Sequence, residues 1–211
     1  MTKTVDLDGL LAKALELLER PGRQFMAIAG APGSGKSTTV ETLFSMIEER
    51  RKGAVAILPM DGFHYDDAIL HARNRRPWKG APDTFDVGGL ASVLKRLKAA
   101  EEENVAVPVF DRDLEISRGS ARLIRYDVPL ILVEGNYLLL DRDPWTRLHP
   151  LFDATVMIDV PEEELARRLR MRWKGYQLTE DQIHAKLEDN DMPNGRTVIS
   201  ESIDADMKFL Q

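Results

Sequence analysis

Apolar residues fall into two kinds of run along this chain. Phe25-Met26-Ala27-Ile28-Ala29, Ala54-Val55-Ala56-Ile57-Leu58-Pro59-Met60, Leu130-Ile131-Leu132-Val133 and Thr155-Val156-Met157-Ile158-Asp159-Val160 are short and nearly unbroken. Such runs suit strands buried on both faces of a parallel sheet. Other stretches space their apolar residues as a helix does. Leu7, Leu10, Leu11, Leu15 and Leu18 predict a first helix, capped by Asp6 or Asp8 and ended by Pro21. Residues 38–50 are helix-compatible, and Leu90, Val93, Leu94 and Leu97 mark a helix over 87–103. Asp143-Pro144-Trp145 reads as a helix start, and Pro161 opens a helix rich in arginine through Arg172. Thr179 is expected to cap a further helix up to about Asp189.

Two stretches depart from this alternation. Val105-Ala106-Val107-Pro108-Val109-Phe110 predicts a strand whose internal proline suits an edge position, with residues 121–126 pairing locally beyond it. Residues 65–86 are polar and basic, broken by Pro77, Gly80 and Pro82, and predict a helix turn plus a long loop of the kind that forms lids or binding loops. Repeating strand–helix units without internal repeat or visible boundary imply one α/β domain, 1–211, with helices on both faces of a parallel sheet.

The phosphate chemistry is written between the first buried run and the helix after it. Residues Gly30-Ala31-Pro32-Gly33-Ser34-Gly35-Lys36-Ser37 spell G-x-x-x-x-G-K-S, and Thr38 follows. Strand, glycine loop and helix together identify a phosphate-binding loop. Its glycines let backbone N–H groups turn inward on a polyphosphate, and the helix N-terminus adds partial positive charge. Lys36 is expected to reach the β- and γ-phosphates, and the Ser37 hydroxyl to ligate Mg²⁺.

Two acids end buried strands: Asp61 in Met60-Asp61-Gly62-Phe63-His64 and Glu134 in Leu132-Val133-Glu134-Gly135. In open α/β sheets ligands bind beyond the carboxyl ends of the strands, so both point toward one cleft. There one acid can accept a proton from an attacking hydroxyl while the other holds Mg²⁺, Asp61 and Glu134 both being candidate metal neighbours. His64 is placed to contact substrate or to orient the loop. Arg168 and Arg172, at i and i+4, share a helix face and suit a clamp on phosphoryl oxygens. The basic run Arg73-Asn74-Arg75-Arg76-Pro77-Trp78-Lys79-Gly80 reads as a loop that closes over an anionic substrate or product.

Composition narrows the partners. The chain has 211 residues, 43% hydrophobic and 30% charged, with a formal net charge of −6, which argues against nucleic-acid binding through bulk electrostatics. It has no cysteine, so neither a disulfide framework nor a thiolate nucleophile exists. No apolar run approaches membrane-spanning length and the first residues lack a signal-peptide pattern; a cytoplasmic enzyme without membrane or nucleic-acid partners is the expectation.

Five ordered segments carry a resemblance: Gly30–Ser37, Met60-Asp61-Gly62-Phe63-His64, Lys79-Gly80-Ala81-Pro82-Asp83-Thr84-Phe85-Asp86, Pro108-Val109-Phe110-Asp111-Arg112 and Val133-Glu134-Gly135-Asn136-Tyr137. Over residues 25–196 the chain resembles the phosphoribulokinase/uridine kinase family of P-loop kinases, which includes bacterial pantothenate kinases. It looks nearest to a branch labelled as fructose transport system kinases. The resemblance implies a three-layer α/β/α P-loop fold with strand order 2-3-1-4-5 and a mobile helical lid at about 165–196. It also implies ATP and Mg²⁺, Asp61 as the base, Lys36 and Ser37 in the phosphate and metal roles, and lid arginines at Arg168 and Arg172. Substrate contacts are expected from Asp61, His64, Phe110, Asp111 and Arg118. Uridine kinases carry Tyr-Asp and then His-Ser-Arg on the strand matching 107–111; here Phe110-Asp111 leads to Leu114-Glu115-Ile116-Ser117-Arg118, and the histidine is missing.

The expected activity is therefore ATP-dependent phosphoryl transfer to a hydroxyl of a small metabolite, a fructose-like sugar first, a nucleoside or pantothenate-type acceptor second. A homodimer is compatible with the sequence. A switch GTPase would need Asn-Lys-x-Asp, which does not occur, and a P-loop motor would need accessory domains that 211 residues leave little room for.

Overall fold

The computed structural model describes residues 2–211. The chain opens with β1 (Lys3–Val5), α1 (Leu7–Leu18), β2 (Gln24–Gly30), α2 (Lys36–Arg50) and β3 (Val55–Pro59). A short tight turn, Met60–Phe63, leads to α3 (Asp67–Ala72) and α4 (Val87–Ala99). β4 (Asn104–Asp111), β5 (Ile116–Arg125), β6 (Leu130–Gly135) and β7 (Ala154–Asp159) follow, then α5 (Glu162–Gly175), α6 (Glu180–Lys186), α7 (Met192–Glu201) and β8 (Met207–Leu210).

Six strands form one parallel sheet in the order β1-β8-β7-β2-β6-β3. Counting β2, β3, β6, β7 and β8 as one to five and reading from the other edge gives 2-3-1-4-5, as expected, with β1 added at the far edge. Alternate residues of β2 feed two cores. Phe25, Ala27 and Ala29 face a layer that includes Leu90 and Leu94 of α4 and Val198 of α7; Met26 and Ile28 face Leu10, Leu17, Leu43 and Ile47 of α1 and α2. Both faces of β2 are dry, which is why it reads as an unbroken apolar run. Leu169, Ile183, Leu187 and Met192 make a third, small core under α5, α6 and α7.

The structure corrects several boundaries. The 105–110 segment is not an edge of the main sheet: β4 and β5 form a separate antiparallel pair, with a register shift between Val107 and Val109. Pro108 sits at that shift, because it has no N–H to give to a ladder. The hairpin stacks on the turn after β3 so closely that a Cβ on Gly62 would lie 2.5 Å from the Pro108 carbonyl oxygen. α4 stops at Ala99 rather than near 103, where Ala100 turns left-handed (φ 52°). Residues 145–151 form a 3₁₀ turn instead of a regular helix. Thr179 caps α6 as expected, in a capping box with Gln182, but α6 ends at Lys186 and passes through a widened π turn, Leu187–Asp191, into α7. β1, α7 and β8 carry no signal that the hydrophobic pattern revealed.

Candidate active site

β2 delivers the glycine loop to the carboxyl edge of the sheet. Gly35 takes φ 85° immediately before α2, a left-handed turn that an L side chain would strain. No side chain caps α2, so its first N–H groups stay available to a ligand. The Lys36 ammonium folds back and donates to the Ala31 carbonyl at 3.2 Å. Burial lowers its pKa from 10.5 to about 8, against the opposing pull of Glu134 and Asp61. Ser37 Oγ donates to Glu134 Oε2 at 2.9 Å, so the hydroxyl and the strand-end acid named from the sequence meet. Glu134 is buried at the end of β6; burial, with the Asp61 charge nearby, raises its pKa.

The Met60–Phe63 turn carries Asp61 to the same cleft. There Arg112, from the β4–β5 hairpin, pairs with Asp61 Oδ2 at 2.9 Å. His64 lies between two aromatic rings, 4.0 Å from Phe85 and 4.6 Å from Phe110, and its Nδ1 donates to the Asp61 carbonyl at 2.7 Å. Burial pushes its pKa down, so the ring is held neutral with the other nitrogen free of that bond.

One cleft of about 550 Å³ joins these groups. Lys36, Ser37, Asp61, His64, Phe110 and Glu134 all line it, as do Pro32, Gly33, Gly35 and Thr38 of the loop. Gly30, Ala31 and Ser34 form the loop's rear, away from the cleft wall, with Ser34 Oγ buried and unpartnered. The arginine pair divides: Arg172 lines the cleft, whereas Arg168 pairs with Glu164 at 2.7 Å and reaches Gln211 Oε1 at 3.1 Å. Asp111 and Arg118 do not line the cleft; they pair with each other at 3.3 Å because the hairpin's alternation turns Phe110 inward and Asp111 away.

The basic run is also not an open anion trap. Arg75 pairs with Asp83 at 2.6 Å, Arg76 with Asp67 at 2.6 Å and Glu115 at 2.8 Å, and Lys79 with Asp67 at 2.6 Å. Residues that sequence reasoning missed include Arg112, Trp173, Asn190, Asp191 and Asn194. Arg112, two positions past Phe110, and Trp173, next to Arg172, lay close to recognised signals.

Oxygen donors at Ser37, Glu134 and Asp61 suit Mg²⁺, a hard cation that takes one or two carboxylates and completes its shell with phosphates and water. Among the described residues no three acidic, histidine or cysteine side chains gather as a full metal cage.

The family model for "Phosphoribulokinase / Uridine kinase family" matches residues 25–208. The chain belongs to that family. Kinases of this family are P-loop phosphotransferases with a hydroxyl acceptor, and so is this protein. A crystal structure from Silicibacter sp. TM1040 described as a "putative fructose transport system kinase" superposes with a TM-score of 0.89 at 36% identity, covering 97% of this chain and 98% of that one. The "Uncharacterized protein YggC" of Escherichia coli K12 is 33% identical over 92% of this chain and 80% of its own length. The "Putative uridine kinase C227.14" of Schizosaccharomyces pombe is 30% identical over 97% of this chain and 90% of its own. Family membership implies ATP binding and usually Mg²⁺. No helix among the described residues is long and apolar enough to cross a membrane.

Proposed function

We propose that the protein transfers the γ-phosphoryl group of ATP to a hydroxyl of a neutral, sugar-like metabolite. The observation that carries this reading is that Asp61 shares one cleft with Lys36, Ser37 and Glu134, beside a wall of His64 and Phe110. Asp61 accepts the proton of the acceptor hydroxyl, whose oxygen attacks the γ-phosphorus as the bond to the β,γ-bridging oxygen breaks and ADP leaves. Lys36 and the N–H groups of the loop and of α2 hold the phosphates in line and meet the charge on the departing ADP. Ser37 and Glu134, with Asp61 near, would hold Mg²⁺, which when bound neutralises phosphate charge. Residues 165–196 act as a lid over the cleft, from which Arg172 supplies a forked contact to the phosphoryl oxygens.

The Arg112–Asp61 pair has a role in this scheme. It holds the base in place until the acceptor hydroxyl arrives, and acceptor binding exchanges one partner for another rather than desolvating a bare carboxylate. A neutral acceptor is supported by the internal pairing of Arg76 and Lys79, and by the likeness to the Silicibacter protein.

The test is ADP release with ATP and Mg²⁺ against a panel of sugars, nucleosides and pantothenate, for the parent and Asp61→Asn. A neutral sugar should accelerate ADP release, and the variant should abolish the acceleration. Acceleration only by a nucleoside or by pantothenate would replace the sugar reading, and none by any hydroxylated compound would remove the kinase assignment of this cleft.

A further inference from the structure

The π turn Leu187–Asp191 builds a further part of the cleft wall, within the proposed lid and near Arg172. Its two ends are anchored in the small core by Leu187 and Met192, which leaves the residues between them free to face outward. Asn190 and Asp191 line the cleft, and Asn194 joins them from the first turn of α7. A widened turn is how a helix presents adjacent residues that regular spacing would separate, and such turns recur at functional sites.

Donors and acceptors on this wall can be counted. Asn190 is held from both sides: Nδ2 donates to the Lys79 carbonyl at 2.9 Å, and Oδ1 accepts from Asn194 Nδ2 at 2.8 Å. One Asp191 oxygen, Oδ2, accepts from the Trp173 indole at 2.6 Å. Among the described residues, Asp191 Oδ1 and Asn194 Oδ1 have no protein donor. Both are acceptors, and both residues line the cleft. Lys79, which Asn190 holds, places its ammonium 5.4 Å from the centre of the Phe110 ring, so this wall is continuous with the acceptor side.

Resting on the kinase reading above, we infer that Asp191, with Asn194 beside it, binds hydroxyl groups of the acceptor and selects a neutral polyhydroxylated compound over a carboxylated one. The two free oxygens, Asp191 Oδ1 and Asn194 Oδ1, can accept hydrogen bonds from hydroxyl donors. The Asp191 carboxylate repels a carboxylate or phosphate placed against it. The cations that could offset that repulsion are committed elsewhere: Arg112 to Asp61, Arg76 and Lys79 to Asp67 and Glu115. Burial raises the Asp191 pKa, while the Trp173 indole, Arg172 and Lys186 favour its charged form, so an anion arriving there competes with the carboxylate for those cations. Trp173 and Phe110 line the same cleft and supply apolar surface for the C–H groups of such a molecule.

Two acceptor series test this: fructose, glucose and mannitol, and the acids gluconate and glycerate. Binding is measured by calorimetry with a non-hydrolysable ATP analogue present, and turnover by ADP release, for the parent, Asp191→Asn and Asn194→Ala. The parent should bind a neutral member at least about tenfold more tightly than either acid. Asp191→Asn keeps an oxygen for the Trp173 indole but loses the charge. It should raise the KM of the neutral acceptor at least about tenfold, leave the ATP KM within about twofold, and erase the preference over acids. A parent that prefers the acids overturns the inference. So does an unchanged acceptor KM in Asp191→Asn, or a variant in which ATP KM, melting temperature and both acceptor series shift together, since Asp191 would then only pin Trp173. Binding of no panel member overturns it too, while Lys36-dependent nucleotide binding judges the kinase reading separately.

Discussion

Raising the pH from 7 to 9 should weaken nucleotide binding about tenfold, and Lys36 is the cause. Its pKa is lowered from 10.5 to about 8 by burial, and a polyphosphate binds the charged form. With a pKa of about 8, roughly nine molecules in ten carry the proton at pH 7 and roughly one in ten at pH 9, so re-protonation at pH 9 costs ~1.4 kcal/mol. The bound polyphosphate raises the Lys36 pKa, so binding takes up a proton at alkaline pH and affinity falls as pH rises through about 8. Calorimetry with a non-hydrolysable ATP analogue, in buffers of different ionisation enthalpy, measures both quantities. Proton uptake should be near zero at pH 7 and approach one proton at pH 9. Lys36→Met should bind weakly with no such slope. An affinity flat from pH 7 to 9 in the parent, without buffer-dependent heat, would refute the depressed ammonium.

The same burial has a cost in the free protein. The unfolded chain keeps the Lys36 proton up to an ordinary pKa of 10.5, so between about pH 8 and 10.5 the unfolded state binds more protons and stability rises with pH. Below pH 8 the charged form is carried at a penalty of at most ~3 kcal/mol, an upper bound because the side chain still meets water through the cleft. Lys36→Met should therefore melt several degrees above the parent at pH 7 and lose that advantage near pH 10. Equal melting temperatures at pH 7 would mean that the loop solvates the ammonium fully.

Other substitutions separate the roles of the remaining groups. Asp61→Asn should lower phosphoryl transfer at least about a hundredfold while nucleotide affinity holds, read by ADP release and calorimetry; near-parent rates would place the base elsewhere. Glu134→Gln should raise the Mg²⁺ concentration needed for half-maximal rate, and an unchanged Mg²⁺ dependence would remove it from the metal site. Arg172→Lys should lower kcat about tenfold or more, because lysine lacks the planar fork, whereas Arg168→Lys should change kcat less than about threefold, given its pairing with Glu164. The reverse ranking would mean that the lid moves Arg168 onto the phosphates.

The nucleotide half of the cleft was legible in the sequence because its parts are adjacent. Strand, glycine loop and helix N-terminus follow one another from Gln24 to Arg50, so local spacing fixes their geometry. Asp61 and Glu134 were legible for a related reason: Glu134 closes β6, which is dry on both faces, Asp61 follows edge strand β3 by two residues, and parallel topology sends both to one edge. The start of α7, Met192-Pro193-Asn194-Gly195, carries no helical pattern of apolar residues. In α7 Pro193 occupies the first turn, where a missing N–H costs no helical bond. The π turn before it has no periodicity of its own. β1, at the sheet edge, and β8, beside it, were hidden by brevity: strands of three and four residues leave too short a pattern to read.

The two halves of the cleft are therefore built differently, and this bears on acceptor choice. The phosphate half rests mainly on contacts over a few residues, Lys36 to Ala31 and the turn at Gly35, with Glu134 and the proposed Arg172 clamp contributed from distant segments. The proposed acceptor half is assembled from four distant segments, the turn at 61–64, the loop at Lys79, the hairpin at 110–112 and residues 190–194, joined by Arg112–Asp61 and Asn190–Lys79. A substitution in any of these segments can reshape the acceptor wall without moving the phosphate loop. Relatives described by different acceptors on one fold are the expected consequence, since selectivity can shift while transfer chemistry stays fixed. The same separation explains why the loop could be named from eight residues, while Asp191 and Asn194 emerged only when chain segments more than a hundred residues apart were brought face to face.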